Sequence, residues 1–178
     1  MATYLVTGGC GFIGSHLADA LVGAGHKVRI VDDLSTGKRE NAPAGAEIIV
    51  GDIADAALMA NAMAGIDGCF HLAAIASVQR GNEDWLGTHR ANLTGAITAF
   101  DLARSCNPKG PVPVVYASSA AVYGDNPALP LKETSATQPL SAYGADKLGC
   151  ELHARVAWVV HKVPSVGFRF FNIYGPRQ

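Results

Sequence analysis

The feature that most constrains this fold is a glycine-rich turn between an apolar, strand-like run and a helix-like segment. Residues 8–14 read GGCGFIG, with four glycines among seven positions. Glycine here permits a positive φ, removes the Cβ where the backbone meets a ligand, and lets helix and strand pack closely. A G-x-G-x-x-G pattern begins at Gly9, and Gly8, Gly11 and Gly14 also have a spacing of three. The turn predicts a pyrophosphate site at a helix N-terminus, although an ordinary βα corner also fits.

Short β-rich runs alternate with helix-like segments along the chain. The expected buried strands are Thr3 to Val6, Val28 to Val31, Glu47 to Val50, Gly68 to His71, Val112 to Ala117 and Ser165 to Phe170. The helix-like segments lie near 12–24, 55–64, 83–105 and 141–162, and 33–45 reads mostly as loop. Hairpins cannot join parallel neighbours, so this order predicts right-handed crossovers. We expect an α/β fold, a doubly wound parallel sheet of the Rossmann type, forming one nucleotide-binding domain over residues 1–178.

The composition excludes several classes of protein. Of 178 residues, 49% are apolar and 16% charged, with a net charge of -1, which fits neither a disordered chain nor a nucleic-acid binder. The longest apolar runs are far shorter than the roughly 20 residues of a membrane span. The N-terminal run lacks a basic region and is read as structure rather than as a leader. Four scattered cysteines form no metal-binding pattern, so we expect no metal and a reduced, cytoplasmic protein.

Two acidic residues end the second predicted strand. A Rossmann fold places a carboxylate at this point to accept hydrogen bonds from the adenosine ribose, so Asp32 and Asp33 favour NAD. A 2′-phosphate beside Asp32 would meet like-charge repulsion of a few kcal/mol at an intermediate dielectric constant. Lys38 and Arg39 follow closely and keep NADP as a minor alternative.

Two further acidic residues, Asp52 and Asp55, follow the third predicted strand. Asp52 and Ile53 lie at the carboxyl edge of the sheet, where ligands of such folds bind. Either Asp52 or Asp55 could instead be the N-cap of the next helix. Both interpretations stay open, with Asp52 at the adenine and Asp55 as the cap.

Tyr143 and Lys147 lie four residues apart, on one face of the last predicted helix. A nearby ammonium, and the positive ring of an oxidised nicotinamide, stabilise a phenolate and would lower the phenol pKa toward the range of a general base. Ser118 and Ser119 end the fifth predicted strand at the same edge as the glycine-rich turn. One of them could align a substrate hydroxyl on the Tyr143 oxygen, or both could simply cap the strand end.

Five motifs together resemble the extended short-chain dehydrogenase/reductases, and within them the NAD-dependent nucleotide-sugar epimerases. The resemblance covers the whole chain. The motifs are TGGCGFIGSHL from Thr7, HLAA from His71, YASSAAVYG from Tyr116, Tyr143-x-x-x-Lys147 and RFFNIYGPR from Arg169.

The resemblance implies a role for each matching residue. Tyr143 would be the base, Lys147 its electrostatic partner and a cofactor ribose ligand, and Ser119 the hydroxyl that orders the sugar. The implied substrate-binding residues are Ser119, Tyr143 and Asn172. The implied cofactor-binding residues are Gly8, Gly11, Phe12, Ile13, Gly14, Asp32, Asp33, Asp52, Ile53, Leu72, Ala73, Ala74, Asn92, Tyr143, Lys147 and Phe171.

The resemblance also implies a reaction, in which a UDP-sugar is oxidised at C4 to a 4-keto intermediate and reduced on the opposite face. Related 4,6-dehydratases need an acidic pair where this chain has Ala120 and Ala121, and UDP-glucuronate decarboxylases usually carry a carboxylate there. UDP-N-acetylglucosamine or UDP-uronate epimerisation stays open. So does a different class, a non-catalytic NAD-binding module.

Members of this family are generally much longer than 178 residues, so we expect this chain to lack the C-terminal substrate-binding part and to be weakly active alone. The family commonly dimerises through two helices per subunit, which predicts a homodimer. The apolar stripes proposed for this contact are Leu86, Leu93, Ile97 and Phe100 in the segment 83–105, and Leu148, Leu152, Val156 and Val159, with Trp158 beside them, in the segment 141–162. The same stripes could be core only.

Overall fold

Six parallel strands form one sheet in the computed structural model, which describes residues 1–178. The strands are β1 (Thr3–Thr7), β2 (Lys27–Asp32), β3 (Glu47–Val50), β4 (Gly68–His71), β5 (Val114–Ser119) and β6 (Ser165–Phe170). Their order across the sheet is β3-β2-β1-β4-β5-β6, and every neighbouring pair is parallel. The predicted doubly wound, Rossmann-like sheet is confirmed. The strand order reverses between β1 and β4, where ligands of such sheets bind.

Six α-helices connect or follow these strands. They are α1 (Phe12–Gly23), α2 (Ala56–Met63), α3 (Val78–Glu83), α4 (Trp85–His89), α5 (Gly95–Ala103) and α6 (Ala142–His161). Single 3₁₀ turns lie at Arg39–Asn41 and Ala120–Tyr123, and a π-helical turn lies at Arg90–Thr94.

The helical segment predicted near 83–105 is continuous from Trp85 to Ala103, through α4, the π-helical turn and α5, with helical backbone angles at both junctions. The chain leaves helical geometry at Asp84 (φ -135°, ψ 80°), where the carboxylate accepts the Gly87 N–H and begins α4. A short aspartate side chain bonds to the backbone more readily at a helix start than inside a helix, so Asp84 marks the start of this segment and separates it from α3, which was not predicted. The preceding helix, α3, has Ser77 as its N-cap, and the Ser77 hydroxyl accepts the Arg80 N–H.

The core lies on both faces of the sheet. Alternation along β1 sends Leu5 into a large cluster under α2, α5 and α6, and Val6 into a smaller cluster that Ala18 of α1 joins. Leu5 and Val6 are both fully buried. Because the central strands are covered on both faces, their carboxyl ends form a firm edge for the loops that follow them.

Backbone hydrogen bonds hold those loops to the edge of the sheet. The Gly8 N–H donates to the Val31 carbonyl at 2.8 Å, and the Gly51 N–H donates to the Asp32 carbonyl at 3.1 Å. The chain segments that follow β1, β2 and β3 therefore meet at one place.

Candidate active site

The glycine-rich turn leaves no room for side chains. Gly8 has a φ of +69°, and a Cβ there would lie 2.8 Å from the backbone of Ala73 in the loop after β4. A Cβ on Gly14 would overlap the Gly8 carbonyl oxygen. Gly11 is the N-cap of α1 and no side chain bonds to that helix start. The first N–H groups of the helix are thus available to an anion, as a pyrophosphate requires.

Asp32 joins this turn to the loop after β2. Its carboxylate is 6% exposed, with one oxygen accepting the Cys10 N–H and the other the Leu34 N–H, each at 2.9 Å. A Cβ on Gly37 would come within 2.9 Å of the same carboxylate, so the loop also closes over it. Asp33 is exposed and accepts the Ser35 N–H. Asp32 lies beside the turn as a ribose-binding carboxylate would.

A cleft of about 280 Å³ opens between these loops. Among the predicted cofactor-binding residues it is lined by Gly8, Gly11, Phe12, Ile13, Gly14, Asp32, Asp33, Asp52, Ile53, Leu72, Ala73 and Ala74. Sequence reasoning did not assign the other lining residues to the cofactor site; they are Ser35, Thr36, Gly37, Gly51, Ile75, Ala76, Ala91 and Ala117. Most of them follow the carboxyl ends of strands, a position that could have identified them.

Of the two acidic residues after β3, Asp55 caps a helix and Asp52 lines the cleft. Asp55 is the N-cap of α2 and accepts the N–H groups of Ala57 and Leu58. Asp52 lines the cleft but already accepts a hydrogen bond from Arg90 at 3.0 Å. The structure therefore places Asp52 where an adenine could meet it, in competition with an exposed ion pair.

Tyr143, Lys147 and Ser119 converge beyond one end of the cleft. Lys147 is 2% exposed, and its Nζ donates to the carbonyl of Ala117, a lining residue, at 2.9 Å. The same Nζ lies 5.8 Å from the centroid of the Tyr143 ring. Ser119 Oγ accepts the Ala121 N–H at 3.1 Å, and its hydroxyl lies near the Tyr143 phenol.

The pKa values at this place differ from the sequence-based expectation. Burial raises the pKa of Tyr143, and the Ser119 hydroxyl offsets only part of that increase. Burial also lowers the pKa of the Lys147 ammonium. The protein alone therefore does not lower the Tyr143 pKa as expected. Burial of the phenol has a larger effect on this pKa than the nearby Lys147 ammonium.

A buried histidine lies behind the cleft. Thr7 Oγ1 accepts the N–H groups of Leu72 and Ala73, each at 3.2 Å, so its hydroxyl proton points to His71 Nδ1 at 3.0 Å. That assignment leaves the imidazole proton on Nε2, which is buried without a partner. Burial, followed by the Lys147 charge, lowers the pKa of His71 to about 3. The ring is therefore neutral and shapes the loop after β4.

Three predicted site residues lie away from the cleft. Asn92 is fully buried, and its amide accepts the Ile75 N–H at 2.8 Å and donates to the Ile75 carbonyl at 3.2 Å, so it positions the cleft wall instead of facing a cofactor. Phe171 is 60% exposed and lines a separate cavity beside Arg169. Asn172 is exposed as well. Phe171 and Asn172 follow β6, the outer strand, which β5 and β4 separate from the glycine-rich turn.

Neither a metal site nor a membrane-spanning segment accompanies this cleft. No group of three or more His, Cys, Asp and Glu side chains is arranged to hold a metal ion. None of the helices combines the length and apolar character that crossing a bilayer requires.

The parallel sheet, the glycine-rich turn and the cleft define a nucleotide-cofactor-binding protein of the Rossmann class. Residues 4–178 match the family described as "NAD dependent epimerase/dehydratase family", and the chain belongs to it. NAD is accordingly the cofactor of this site.

Similar proteins agree with that family. The chain is 39% identical to a UDP-glucose 4-epimerase of Azospirillum brasilense over 96% of its own length and 49% of that protein. A UDP-N-acetylglucosamine 4-epimerase of Methanobrevibacter ruminantium superimposes with a TM-score of 0.92 at 38% identity, over 99% of this chain and 57% of that one. A UDP-glucose 4-epimerase of Thermus thermophilus in complex with NAD gives 0.91 at 35%, with the same two shares. The chain thus spans about half the length of the relatives that it matches.

Proposed function

We propose that this chain is the cofactor-binding part of an isomerase that epimerises a UDP-hexose at C4, as a UDP-glucose 4-epimerase interconverts UDP-glucose and UDP-galactose. One observation carries the proposal, the convergence of Ser119, Tyr143 and the buried Lys147 ammonium beside the cofactor cleft. A hydroxyl close to a phenol can receive and pass on the proton of a substrate alcohol. A protein that only senses NAD has no use for such a pair.

The bound cofactor would supply the redox chemistry, accepting hydride from the sugar and returning it. The residues that would hold it are the glycine-rich turn, Asp32 and the loop after β4. Tyr143 would take the proton of the sugar O4 and give it back after the 4-keto sugar has turned over. Ser119 would orient the O4 hydroxyl on the phenol, since its own oxygen is already fixed by the Ala121 N–H. No net change in redox state results.

Lys147 supports the base by its position. Its buried ammonium lies 5.8 Å from the Tyr143 ring centroid and is held in place by the Ala117 carbonyl. Because burial raises the pKa of Tyr143, the phenolate needs further positive charge near it to form at neutral pH. We therefore expect the proton acceptor to become effective only when oxidised cofactor is bound.

The residues after Ser119 distinguish this reaction from dehydration. Ala120 and Ala121 form the 3₁₀ turn that follows β5, where a dehydratase would need an acidic pair. Alanine transfers no proton, so elimination of water is disfavoured. Epimerisation of UDP-N-acetylglucosamine, the activity named for the Methanobrevibacter relative, is the second candidate. A UDP-uronate 4-epimerase is a further variant of the same chemistry.

Titration of the chain with NAD, and then with UDP-sugars, tests the proposal. We expect calorimetry to detect NAD binding that is tighter than NADP binding. We expect interconversion of UDP-glucose and UDP-galactose to stay well below about 1 per second, because most of the uridine diphosphate contacts would come from the other half of the matched relatives. NAD binding without epimerisation in any longer form would favour the non-catalytic module.

A homodimer is also proposed, through the helices α5 and α6. The outer face of α6 exposes Leu152, Val156 and Val159 at 50–59%, and Ile97 of α5 is 36% exposed. Leu86 is 84% exposed on α4, whereas Phe100 is 4% exposed in the core, so the predicted stripe on 83–105 is split. Exposed apolar patches of this kind mark contact surfaces. Sedimentation that detects only monomer at micromolar concentration would contradict the dimer.

A further inference from the structure

Three consecutive residues at the end of β5 each lie against a different residue of α6. We call these pairs the β5–α6 ladder. Two of them are hydrogen bonds, from Lys147 Nζ to Ala117 O at 2.9 Å and from Ser118 Oγ to Glu151 Oε1 at 2.6 Å, and in the third pair the Ser119 hydroxyl lies near the Tyr143 phenol. The three helix residues are spaced by four, so they lie on one helix face. The ladder sets both the rotation of α6 and its height along β5.

Glu151 is the best anchored member of the ladder. Arg169 of β6 donates to both of its oxygens, from Nε at 2.8 Å and from Nη2 at 2.7 Å. The two side chains are only 18–21% exposed. Burial acts to raise the pKa of Glu151, but the hydrogen bonds from Arg169 and Ser118 hold that pKa below its usual range. A two-point bond between planar groups fixes orientation as well as distance.

Arg169 is itself fixed by two further elements. Its Nη1 donates to the Tyr123 phenol at 2.8 Å and to the Glu133 carbonyl at 3.0 Å. Its Cζ lies 4.8 Å from the centroid of the Tyr123 ring. Arg169 is also the β6 residue in register with Ser118. The Glu151 carboxylate is therefore tied to the outer strand, the 3₁₀ turn and the loop that follows it, while it lies outside the cofactor cleft.

We propose that Glu151, held by Arg169, is a positioning residue for the proton-transfer pair, fixing the end of β5 through Ser118 so that the Ser119 hydroxyl meets the Tyr143 phenol. The role of Glu151 in catalysis rests on the proposed function. The contact itself needs neither sugar nor cofactor, so it can be tested in the chain alone.

Three possible roles of Glu151 leave different signatures on Tyr143. Glu151 lies two turns beyond Tyr143, about 12 Å along the helix. If Glu151 acted only as a negative charge, its removal would ease phenolate formation and lower the Tyr143 pKa. If it only added stability, that pKa would not move. If it positions Ser119, its loss lets the Ser119 hydroxyl move away from the phenol, which removes an influence that lowers the Tyr143 pKa, so that pKa rises.

The experiment replaces all tyrosines by 3-fluorotyrosine, which lowers the phenol pKa into a range that a fold tolerates. The Tyr143 resonance is assigned in the fluorine NMR spectrum with Tyr143→Phe and then titrated. Ser118→Ala removes the link to β5 without a change of charge, and Glu151 keeps both of its bonds to Arg169. We expect Ser118→Ala and Glu151→Gln each to raise the Tyr143 pKa by about 0.5 unit, part of one hydrogen bond.

Glu47→Gln is the matched control. It breaks an ion pair of similar length, Arg29 Nε to Glu47 Oε2 at 2.9 Å, on the far side of the sheet, and should leave the Tyr143 pKa unchanged. An unchanged or lowered pKa in Ser118→Ala would overturn the proposal, and that variant decides the matter even if Glu151→Gln does not fold. Failure of the parent chain to bind NAD would refute the proposed function and leave this test intact.

Discussion

Two parts of the same sheet edge are built in opposite ways. Around β1, α1 and β2 the site is made of backbone, with Gly8, Gly14 and Gly37 packed against main chain or against the Asp32 carboxylate. Around β5, α6 and β6 it is made of side chains that bond to one another, in the β5–α6 ladder and the Arg169 network. We therefore expect an added side-chain atom to disrupt the backbone part around β1, α1 and β2. We expect removal of a hydrogen-bonding group to disrupt the side-chain part around β5, α6 and β6.

Adding an atom to the glycine-rich turn is expected to disturb both the fold and the cofactor site. Gly14→Ala would place a Cβ on the Gly8 carbonyl oxygen and force the pyrophosphate turn open. We expect an overpacking cost of about 1–3 kcal/mol in unfolding free energy and at least a tenfold loss of NAD affinity. Urea unfolding and calorimetry measure the two quantities.

Gly23→Ala is the matched control in the same helix. A Cβ on Gly23 would meet nothing within 4 Å, so the change should stabilise the chain by up to about 1 kcal/mol and leave NAD binding unchanged. Equal behaviour of the two variants would show that the glycine-rich turn is not under steric constraint.

In the side-chain part, removal of one oxygen should stop the chemistry and spare the fold. Tyr143→Phe, in a form of the protein with measurable epimerase activity, should lower turnover by about 10²–10⁴-fold, the usual contribution of a general acid–base group. The NAD dissociation constant should change little, because the cleft is lined by other residues. Turnover within tenfold of the parent would contradict the role assigned to Tyr143.

A smaller loss of function is expected at Asp32, whose side chain is bonded to the backbone of the glycine-rich turn and of the loop after β2. Asp32→Asn turns one of two accepting oxygens into an NH₂ group that faces the N–H of Cys10 or Leu34. We expect a loss of about 1–3 kcal/mol in stability, with weaker NAD binding. Asp33→Asn, at an exposed position, should cost much less. Similar losses in the two variants would place the cofactor carboxylate elsewhere.

The stability of the fold is also expected to depend on pH. The pKa of His71 is lowered to about 3 in the fold, so the unfolded chain binds the proton first as pH falls. The parent should therefore lose stability progressively from about pH 6.5 down to about pH 3. His71→Asn should flatten that part of the curve of unfolding free energy against pH, whereas His153→Asn on the surface should not. Parallel curves for all three chains would exclude His71 as the source.

The amino-acid sequence by itself determined the parts of this protein that depend on local pattern. The strands near Thr3, Glu47, Gly68 and Ser165 were predicted within a residue, because apolar runs bounded by turn residues are local signals. The glycine-rich turn and the cleft residues beside it follow from the spacing of glycines and from the rule that parallel strands end at one edge. The one-face arrangement of Tyr143 and Lys147 follows from the helical period.

Only the tertiary structure decided how distant segments meet. Asn92 bonds to Ile75 rather than facing the cleft, and Glu151 is bound by Arg169, a partner 18 residues away in the chain. The raised pKa of Tyr143 likewise depends on how deeply packing buries the ring. Such pairings and burial arise from the relative placement of whole strands and helices, and a periodicity read along the chain carries no information about that placement.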